Sequence, residues 1–403
     1  MPFSKMSEIA AISHKQEKKL LHALFFLFGF GIMAWVPRFP DLKENLGLDN
    51  GPFGWLLTTG SIGAFLGLLT VGHIVHKVGV LKVTTAGIFL LYLSFALAVH
   101  VHNPLYFALM NIAIGFAITS LHVSLNTQGF HVQERSGEIV ITSSAGYWSA
   151  GALVTAGVSG LLVGRVGLSL HIGILSLCCA ILMLAILLKL KPVLVPANTH
   201  PETDYRVRDI FKSFYIDWPV SLGMAGAVYL EFAIGDWGTI FTKERIGIDS
   251  GLSALPYIVF TVFIIFGRLS VQKILHRYRI DYISRISSLF AGVVFGVLIA
   301  VAVALPESAQ WLAFALVLVA FSAAGLGSAV LGPSYSSAAN RRSPHPSAVV
   351  VGQFGVMNNV LTTVLKWIVA GVIAATGSIA LALMIPAALI TLSSFFTYVM
   401  RED

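Results

Sequence analysis

The stretch Lys43-Glu44-Asn45-Leu46-Gly47-Leu48-Asp49-Asn50-Gly51 returns 200 residues later as Lys243-Glu244-Arg245-Ile246-Gly247-Ile248-Asp249-Ser250-Gly251. At the same offset Gly67 meets Gly267, and Val75-His76-Lys77 meets Leu275-His276-Arg277, so at least 35 residues of register run without a gap. One half of the chain copies the other. Both copies lie between long apolar runs. A parallel duplication of membrane-spanning bundles is a common plan for secondary transporters, with the solute site between the halves.

Composition agrees with a bilayer setting. Of the 403 residues 56% are hydrophobic and 11% charged, with a mean hydropathy of +0.83, too little polar surface to face water on all sides. The net charge of +7 does not point to nucleic acid, because the basic residues fall between apolar runs and form no clustered patch. The adjacent Cys178 and Cys179 lie inside an apolar run and read as packing residues, with no disulfide or metal-ligand spacing.

A spanning helix needs about 20 mainly apolar residues. Twelve candidates emerge, near 20–40, 53–71, 83–101, 104–131, 138–163, 168–189, 218–242, 251–270, 282–305, 309–333, 346–372 and 375–399. The expected architecture is an all-α membrane protein of twelve transmembrane helices in two pseudo-symmetric six-helix bundles, 20–190 and 218–400. A polar stub, 1–19, precedes the first and reads as retained chain without a cleavage site. A connector, 191–217, with Pro192, Pro196 and Pro201, joins the two. Among 26 Lys and Arg residues only Arg38, Lys43, Arg165, Lys243 and Arg245 fall on outer segments when the N-terminus is placed inside, with Lys366 within a span. This bias puts both termini in the cytoplasm.

At this point the chain resembles the major facilitator superfamily over nearly its whole length. Gly72-x-x-x-His76-Lys77-x-Gly79-x-x-Lys82 is similar to the family's loop between helices 2 and 3, and Gly267-Arg268 through Arg277 to its echo between helices 8 and 9. Trp35-x-x-Arg38-x-Pro40, Asn126-x-Gln128 and Glu231-x-x-x-x-Asp236-Trp237 resemble the fucose-permease-like branch that includes YbjJ-type inner-membrane proteins. The resemblance implies the major facilitator fold, alternating access, and gating roles for His76, Lys77, Gln272 and Arg277. His76 and Gln272 stand where the family usually places an Asp that holds the cytoplasmic gate, which implies an altered or pH-sensitive inward closure. Ala145 stands where YbjJ-type relatives often carry a His, so no solute or proton role carries over there.

Charged groups at bilayer depth cost at least about 2.5–3.5 kcal/mol each and need a partner or a wet cavity. Arg38 and Asp236 both lie 18 residues into inside-to-outside helices, counted from Leu20 and Trp218. Because helices 1 and 7 line the cavity in the resembling family, an Arg38–Asp236 pair closing the outer gate is expected, the alternative being two interfacial side chains reaching water. Glu231, near the centre of helix 7, is the leading proton carrier, since desolvation favours a protonated carboxylate. Residues 231 and 236 are about 140° apart around a helix, so they take separate roles. The alternative for Glu231 is a carboxylate held permanently by Lys366 or a hydroxyl. Lys366 reads as a solute anchor or as counter-ion to a helix 7 carboxylate, sharing a face with Asn359; the alternative is snorkelling to the interface.

Neutral candidates for binding the solute are His122, Asn126 and Gln128 in helix 4, Asn358 and Asn359 in helix 11, and the aromatics Tyr147, Trp148, Tyr229 and Trp237. Each has a packing alternative. Amides with aromatics suit a sugar, polyol or nucleoside-sized solute. Gly60, Gly63, Gly67, Gly151, Gly157 and Gly160 fit close helix packing. No phosphate loop, zinc-binding His pair or nucleophile elbow is present, so the chain is not read as an enzyme, and energy would come from a proton gradient with no cofactor. Helix 5 lacks the Gly-Pro of resembling drug–proton antiporters. The expected activity is therefore proton-coupled symport of a small polar solute by a monomer in the cytoplasmic membrane. Proton-coupled efflux is one alternative, and a transport-dead membrane sensor or binding protein another.

Overall fold

The computed structural model describes residues 13–137, 140–197, 215–275, 277–343 and 347–401, without the side chains of Thr142, Ser250, 271–275, 347–349 and 351–352. In order, the long helices are α1 (His14–Met33), α2 (Asn50–Val78), α3 (Val80–Ala98), α4 (Pro104–Ser136), α5 (Ile141–Leu162) and α6 (Leu168–Leu190) in the first half. The second half supplies α7 (Trp218–Glu244), α8 (Leu255–Leu275), α9 (Ile280–Ala304), α10 (Gln310–Ser328), α11 (Ser347–Thr376) and α12 (Ile379–Ser393). A further helix, Leu331–Arg342, continues α10, and a short one, Phe39–Asn45, follows α1 after a 3₁₀ turn at Val36–Arg38. Among the described residues, ten segments are long and apolar enough to cross a membrane. The other two long helices are α5 and α7, whose Ser and Gly residues and, in α7, Glu231 and Asp236 dilute the apolar run.

Local chemistry sets the helix starts. Asn103 accepts a hydrogen bond from Leu105 N ahead of Pro104, and Asp217 does the same for Val220 N ahead of Trp218-Pro219, so each pairs a capping side chain with a proline whose missing N–H is harmless there. Ser378 caps α12 through Leu381 N. Gly137 closes α4 at φ 69°, a left-handed conformation that favours glycine.

The packing repeats with a shift of six helices. In the first half α1 packs on α5 and α6, α2 on α4, and α3 on α4 and α6. In the second α7 packs on α11 and α12, α8 on α10, and α9 on α10 and α12. Between the halves α2 meets α11 and α5 meets α8, the two members of one pseudo-twofold pair. Glycine carries the close approaches, as it does where lipid removes any hydrophobic drive between helices. A Cβ on Gly63 would stand 1.8 Å from Ile112 O, and one on Gly151 2.0 Å from Phe26 O. Gly67 approaches Thr119, Gly60 approaches Asn111, and Gly160 approaches Ala254, whereas Gly157 has nothing within 4 Å and is not a packing contact. Phe89, Leu93 and Leu97 on α3 and Leu170, Ile174, Leu177 and Ile181 on α6 are exposed in rows about one helical turn apart, the faces that meet acyl chains.

Each half is also tied at the end where its first helix begins. Glu17, 2% exposed, accepts two bonds from Arg135 Nη2 at the foot of α4 and one from Gln128 Nε2 at 3.0 Å. In the second half Asp217 pairs with Arg342 at 2.6 Å. We call this end the terminal face and the opposite one the distal face.

Candidate functional site

A cavity of about 490 Å3 lies between the halves. Its distal end is closed. There Lys43 pairs with Glu244, Lys243 pairs with Glu44 at 2.6 Å, Asn50 Nδ2 donates to Glu244 at 2.8 Å, and Tyr257 Oη donates to Met33 Sδ at 3.3 Å. About two turns further along α2, Trp367 Nε1 donates to Thr58 Oγ1 at 3.2 Å. Toward the terminal face, α4 lines the cavity with Asn111, Ile114, Gly115 and Ile118 at helical spacing, and the exposed His122 continues that row.

The two walls differ in charge. The first half contributes Ser61, Asn111, Trp148 and Ser149, all neutral, among Trp35, Phe39, Phe95 and Phe107. Asn111 is held in place by donating Nδ2 to Leu56 O, Leu57 O and Thr59 Oγ1 at 3.0, 3.2 and 3.1 Å. The second half contributes Glu231, Asp236, Arg268 and Lys366, with Thr261, Asn359 and Thr362. Its four charges form two pairs within that half. Asp236 Oδ2 meets Lys366 Nζ at 2.7 Å, with side chains 19% and 17% exposed, and Lys366 also lies 5.4 Å from the Phe232 ring centre. Glu231 Oε2 lies 3.8 Å from Arg268, a looser pair whose side chains are 24% and 41% exposed. The five-residue spacing on α7 thus aims its carboxylates at different neighbours, α11 and α8.

Several expected placements change. Arg38 does not pair with Asp236. Because α1 ends at Met33 and the chain turns through Val36–Arg38, the guanidinium points back into the first half, to Asp41 at 2.6 Å and to Val166 O at 3.0 Å, 2% exposed. Gln128 is 1% exposed and bonds Glu17, Val193 O and Val195 N, which makes it the tie between α4 and the chain after α6 rather than a cavity group. Tyr229 is 1% exposed and spends its hydroxyl on Leu365 O at 3.0 Å, fastening α7 to α11. Trp237 is buried against Gly54 of α2 on the distal side of the cavity.

Trp148, Asn359, Lys366, Glu231 and Asp236 do line the cavity. Tyr147 instead stacks on His22 at 4.4 Å, and His22 Nε2 lies 3.0 Å from Ser143 Oγ. Asn126 donates to His122 O in its own helix, and Asn358, one position off the cavity row, accepts from Thr362 Oγ1 only through its backbone carbonyl. His76 and Lys77 are exposed at the terminal face, Arg277 lies 5.8 Å from the Tyr278 ring, and the Gln272 side chain is outside the described residues. Asn111, Ser61 and Thr362 carry no sequence signal, while Arg268 enters the sequence reading only within the Gly267-Arg268 echo of the loop motif and not as a cavity residue. Among the described residues no group of three or more His, Cys, Asp or Glu is assembled for a metal.

The model of the Major Facilitator Superfamily matches residues 21–365. An uncharacterised MFS-type transporter of Yersinia pestis is 26% identical over 333 residues, 81% of each chain. An uncharacterised transporter of Sinorhizobium fredii is 24% identical over 284 residues, 69% of this chain and 72% of that one. In fold, a variant of the nucleoside transporter NupG superposes with a TM-score of 0.78 at 17% identity, over 96% of this chain and 100% of that one. A D-xylose–proton symporter superposes with a TM-score of 0.74 at 13% identity, over 96% and 98%. Two repeated six-helix bundles around one cavity, matched along this length, have one conclusion: the chain belongs to the Major Facilitator Superfamily.

Proposed function

We propose that this transporter carries a small neutral polar solute, of sugar, polyol or nucleoside kind, across the cytoplasmic membrane together with a proton. The observation that carries this reading is the charge layout of the cavity. Asp236 and Lys366 neutralise each other at 2.7 Å, Glu231 faces Arg268 at 3.8 Å, and the opposite wall is neutral, so while Glu231 is ionised a charged solute would have to break a pair to enter. A neutral solute with hydroxyls meets instead Asn111, Ser61, Asn359 and Thr362 for hydrogen bonds and Trp148 for stacking. The fold neighbours that move a nucleoside and D-xylose are of the same solute kind.

Glu231 suits the proton. It lies mid-helix in the cavity wall beside Arg268 at 3.8 Å, beyond a hydrogen bond, so its carboxylate is not locked and can gain or lose a proton as the cavity changes access. Positive residues concentrated on the terminal side orient that face to the cytoplasm. The cavity closed distally is then the inward-facing state, from which an imported solute leaves.

Proteoliposomes with and without an inward proton gradient, offered labelled sugars, nucleosides, amino acids and carboxylates, test this for wild type and Glu231→Gln. Gradient-driven accumulation of a neutral solute, lost in the variant while exchange of solute persists, is the expected result. Accumulation of a carboxylate, or gradient-driven uptake by Glu231→Gln, refutes the reading.

A further inference from the structure

The hydrogen bonds already made inside the cavity walls decide what remains for a solute. Of the six amide and aliphatic hydroxyl side chains that line the cavity, Ser61, Asn111, Ser149, Thr261, Asn359 and Thr362, four have spent their donors. Asn111 gives its Nδ2 hydrogens to Leu56 O, Leu57 O and Thr59 Oγ1. Ser149, Thr261 and Thr362 give their single hydroxyl hydrogens to the carbonyls of Ala145, Tyr257 and Asn358, at 3.1, 2.9 and 2.7 Å, each one turn back in its own helix. What these four still offer is lone pairs, on Asn111 Oδ1 and on three hydroxyl oxygens. Tyr257 likewise spends its hydrogen on Met33 Sδ. The donors left are Ser61, Asn359, the Trp148 indole and the two cations, and each cation faces a carboxylate, while Trp35 Nε1 is buried. The neutral polar lining therefore mostly accepts.

Much of the remaining lining is aromatic. Trp35, Phe39, Phe95, Phe107 and Trp148 belong to the first half, with Trp35 and Phe95 packed at 4.7 Å between ring centres, and Phe232 enters from the second half, 42% exposed. Of these, Phe39, Trp148 and Phe232 keep the most accessible surface, so ring faces are available from both halves. A free sugar or polyol carries hydroxyls on every edge, and those set against this lining would be buried without partners, at a cost in affinity. We propose that the solute is a glycoside of a flat, uncharged ring, nucleosides among them, whose ring lies against Phe39, Trp148 and Phe232 while its sugar hydroxyls donate to the accepting oxygens of Asn111, Thr261 and Thr362. This rests on the neutral-solute reading above and narrows it. The ring brings apolar and π surface to the part of the lining that makes no hydrogen bonds, and the sugar brings donors to the part that accepts.

Equilibrium dialysis against the full chain in lipid nanodiscs compares uridine, adenosine and phenyl β-D-glucoside with D-ribose and D-glucose, and the tightest glycoside with its own deoxyfluoro analogues. At least one glycoside should bind about tenfold or more tightly than the free sugar it contains. Fluorine is close to a hydroxyl in size and cannot donate, so at least one deoxyfluoro analogue should bind about tenfold more weakly than its parent. Trp148→Leu should cost the glycoside about tenfold and leave the free sugar within about twofold. Thr362→Val, close in shape, should weaken the parent about tenfold and should weaken further no analogue that has lost the hydroxyl it receives. For variants that do not purify folded, the wild-type comparisons decide alone. A free sugar bound as tightly as its glycoside, deoxyfluoro analogues all bound like the parent, or no binding of any glycoside would each overturn the inference. Proton-driven uptake of D-ribose or of a polyol, with the glycosides ignored, would overturn it as well and leave the transport reading standing. A glycoside bound with these preferences yet never accumulated would refute proton-coupled transport and leave the inference standing.

Discussion

Replacing Lys366 by Met removes the cation from Asp236 while keeping most of the side chain's volume. At 2.7 Å and an effective dielectric of 20 the gross attraction of the pair is about 6 kcal/mol, most of it offset by the desolvation of both groups. Leaving one member of a buried pair alone costs about 3–5 kcal/mol; with each side chain still near a fifth exposed, the lower end applies, about 2–3 kcal/mol. At about 1–2 °C per kcal/mol for a chain of 403 residues, Lys366→Met and Asp236→Asn should each lower the apparent melting temperature of the purified protein by roughly 2–6 °C. The double variant carries no orphaned charge and should recover most of that loss, so the double-mutant cycle should give a coupling of at least ~1.5 kcal/mol. Melting followed by size-exclusion fluorescence in one detergent gives the four values. Additive losses, within ~0.5 kcal/mol, would show that the two residues do not depend on each other and would remove the basis for a charge-neutral cavity.

Two further outcomes follow from packing and hydrogen bonding. Gly63→Ala drives a methyl into Ile112 O at 1.8 Å, where only helix separation can relieve it, and should cost about 3 kcal/mol or more of stability, while Gly157→Ala, with open space at its Cβ, should melt within ~0.5 kcal/mol of wild type. Gln128→Ala and Tyr229→Phe should each lower stability by about 1–3 kcal/mol through the lost bonds to Val195 N and Leu365 O, and leave solute affinity measured by equilibrium binding unchanged, since neither lines the cavity.

The fold was legible because two signals with different causes agree: the 200-residue repeat, and twelve apolar runs of spanning length. The charged members of the cavity were legible too, for Glu231, Asp236 and Lys366 stand out against apolar surroundings that make them costly. Their partners were less so. Equal depth along two helices suggested Arg38 with Asp236, but depth says nothing about azimuth, and a proline-containing 3₁₀ turn at Val36–Arg38 rotates Arg38 back toward Asp41. Polarity alone selected Gln128 and passed over Asn111, although both are amides of the same helix. The difference lies in what each faces: Gln128 faces the buried Glu17 and the chain at Val195, and Asn111 the cavity. That depends on how α1, α2 and α6 pack around α4, which no local pattern in α4 records.

What the two halves kept alike and what they let diverge follows a physical division. At the distal junction Lys43 and Lys243, Glu44 and Glu244, and Gly51 and Gly251 are the same residues, because across a pseudo-twofold axis each must complement the other's copy and a change in one strands its partner. In the cavity the offset fails in chemistry: Glu231, Asp236 and Arg268 fall opposite Gly31, Val36 and Leu68. A solute with no twofold symmetry gains nothing from two equal walls. Repeating the charges on both sides would also add more ionised groups to desolvate at bilayer depth, each costing several kcal/mol unless paired. Confining the four charges to one half keeps each pair within a rigid bundle, so that alternation need not break it, and leaves the other half free to bind with neutral groups. On this reasoning a carboxylate transplanted to Gly31 or Val36 would be an unpaired charge.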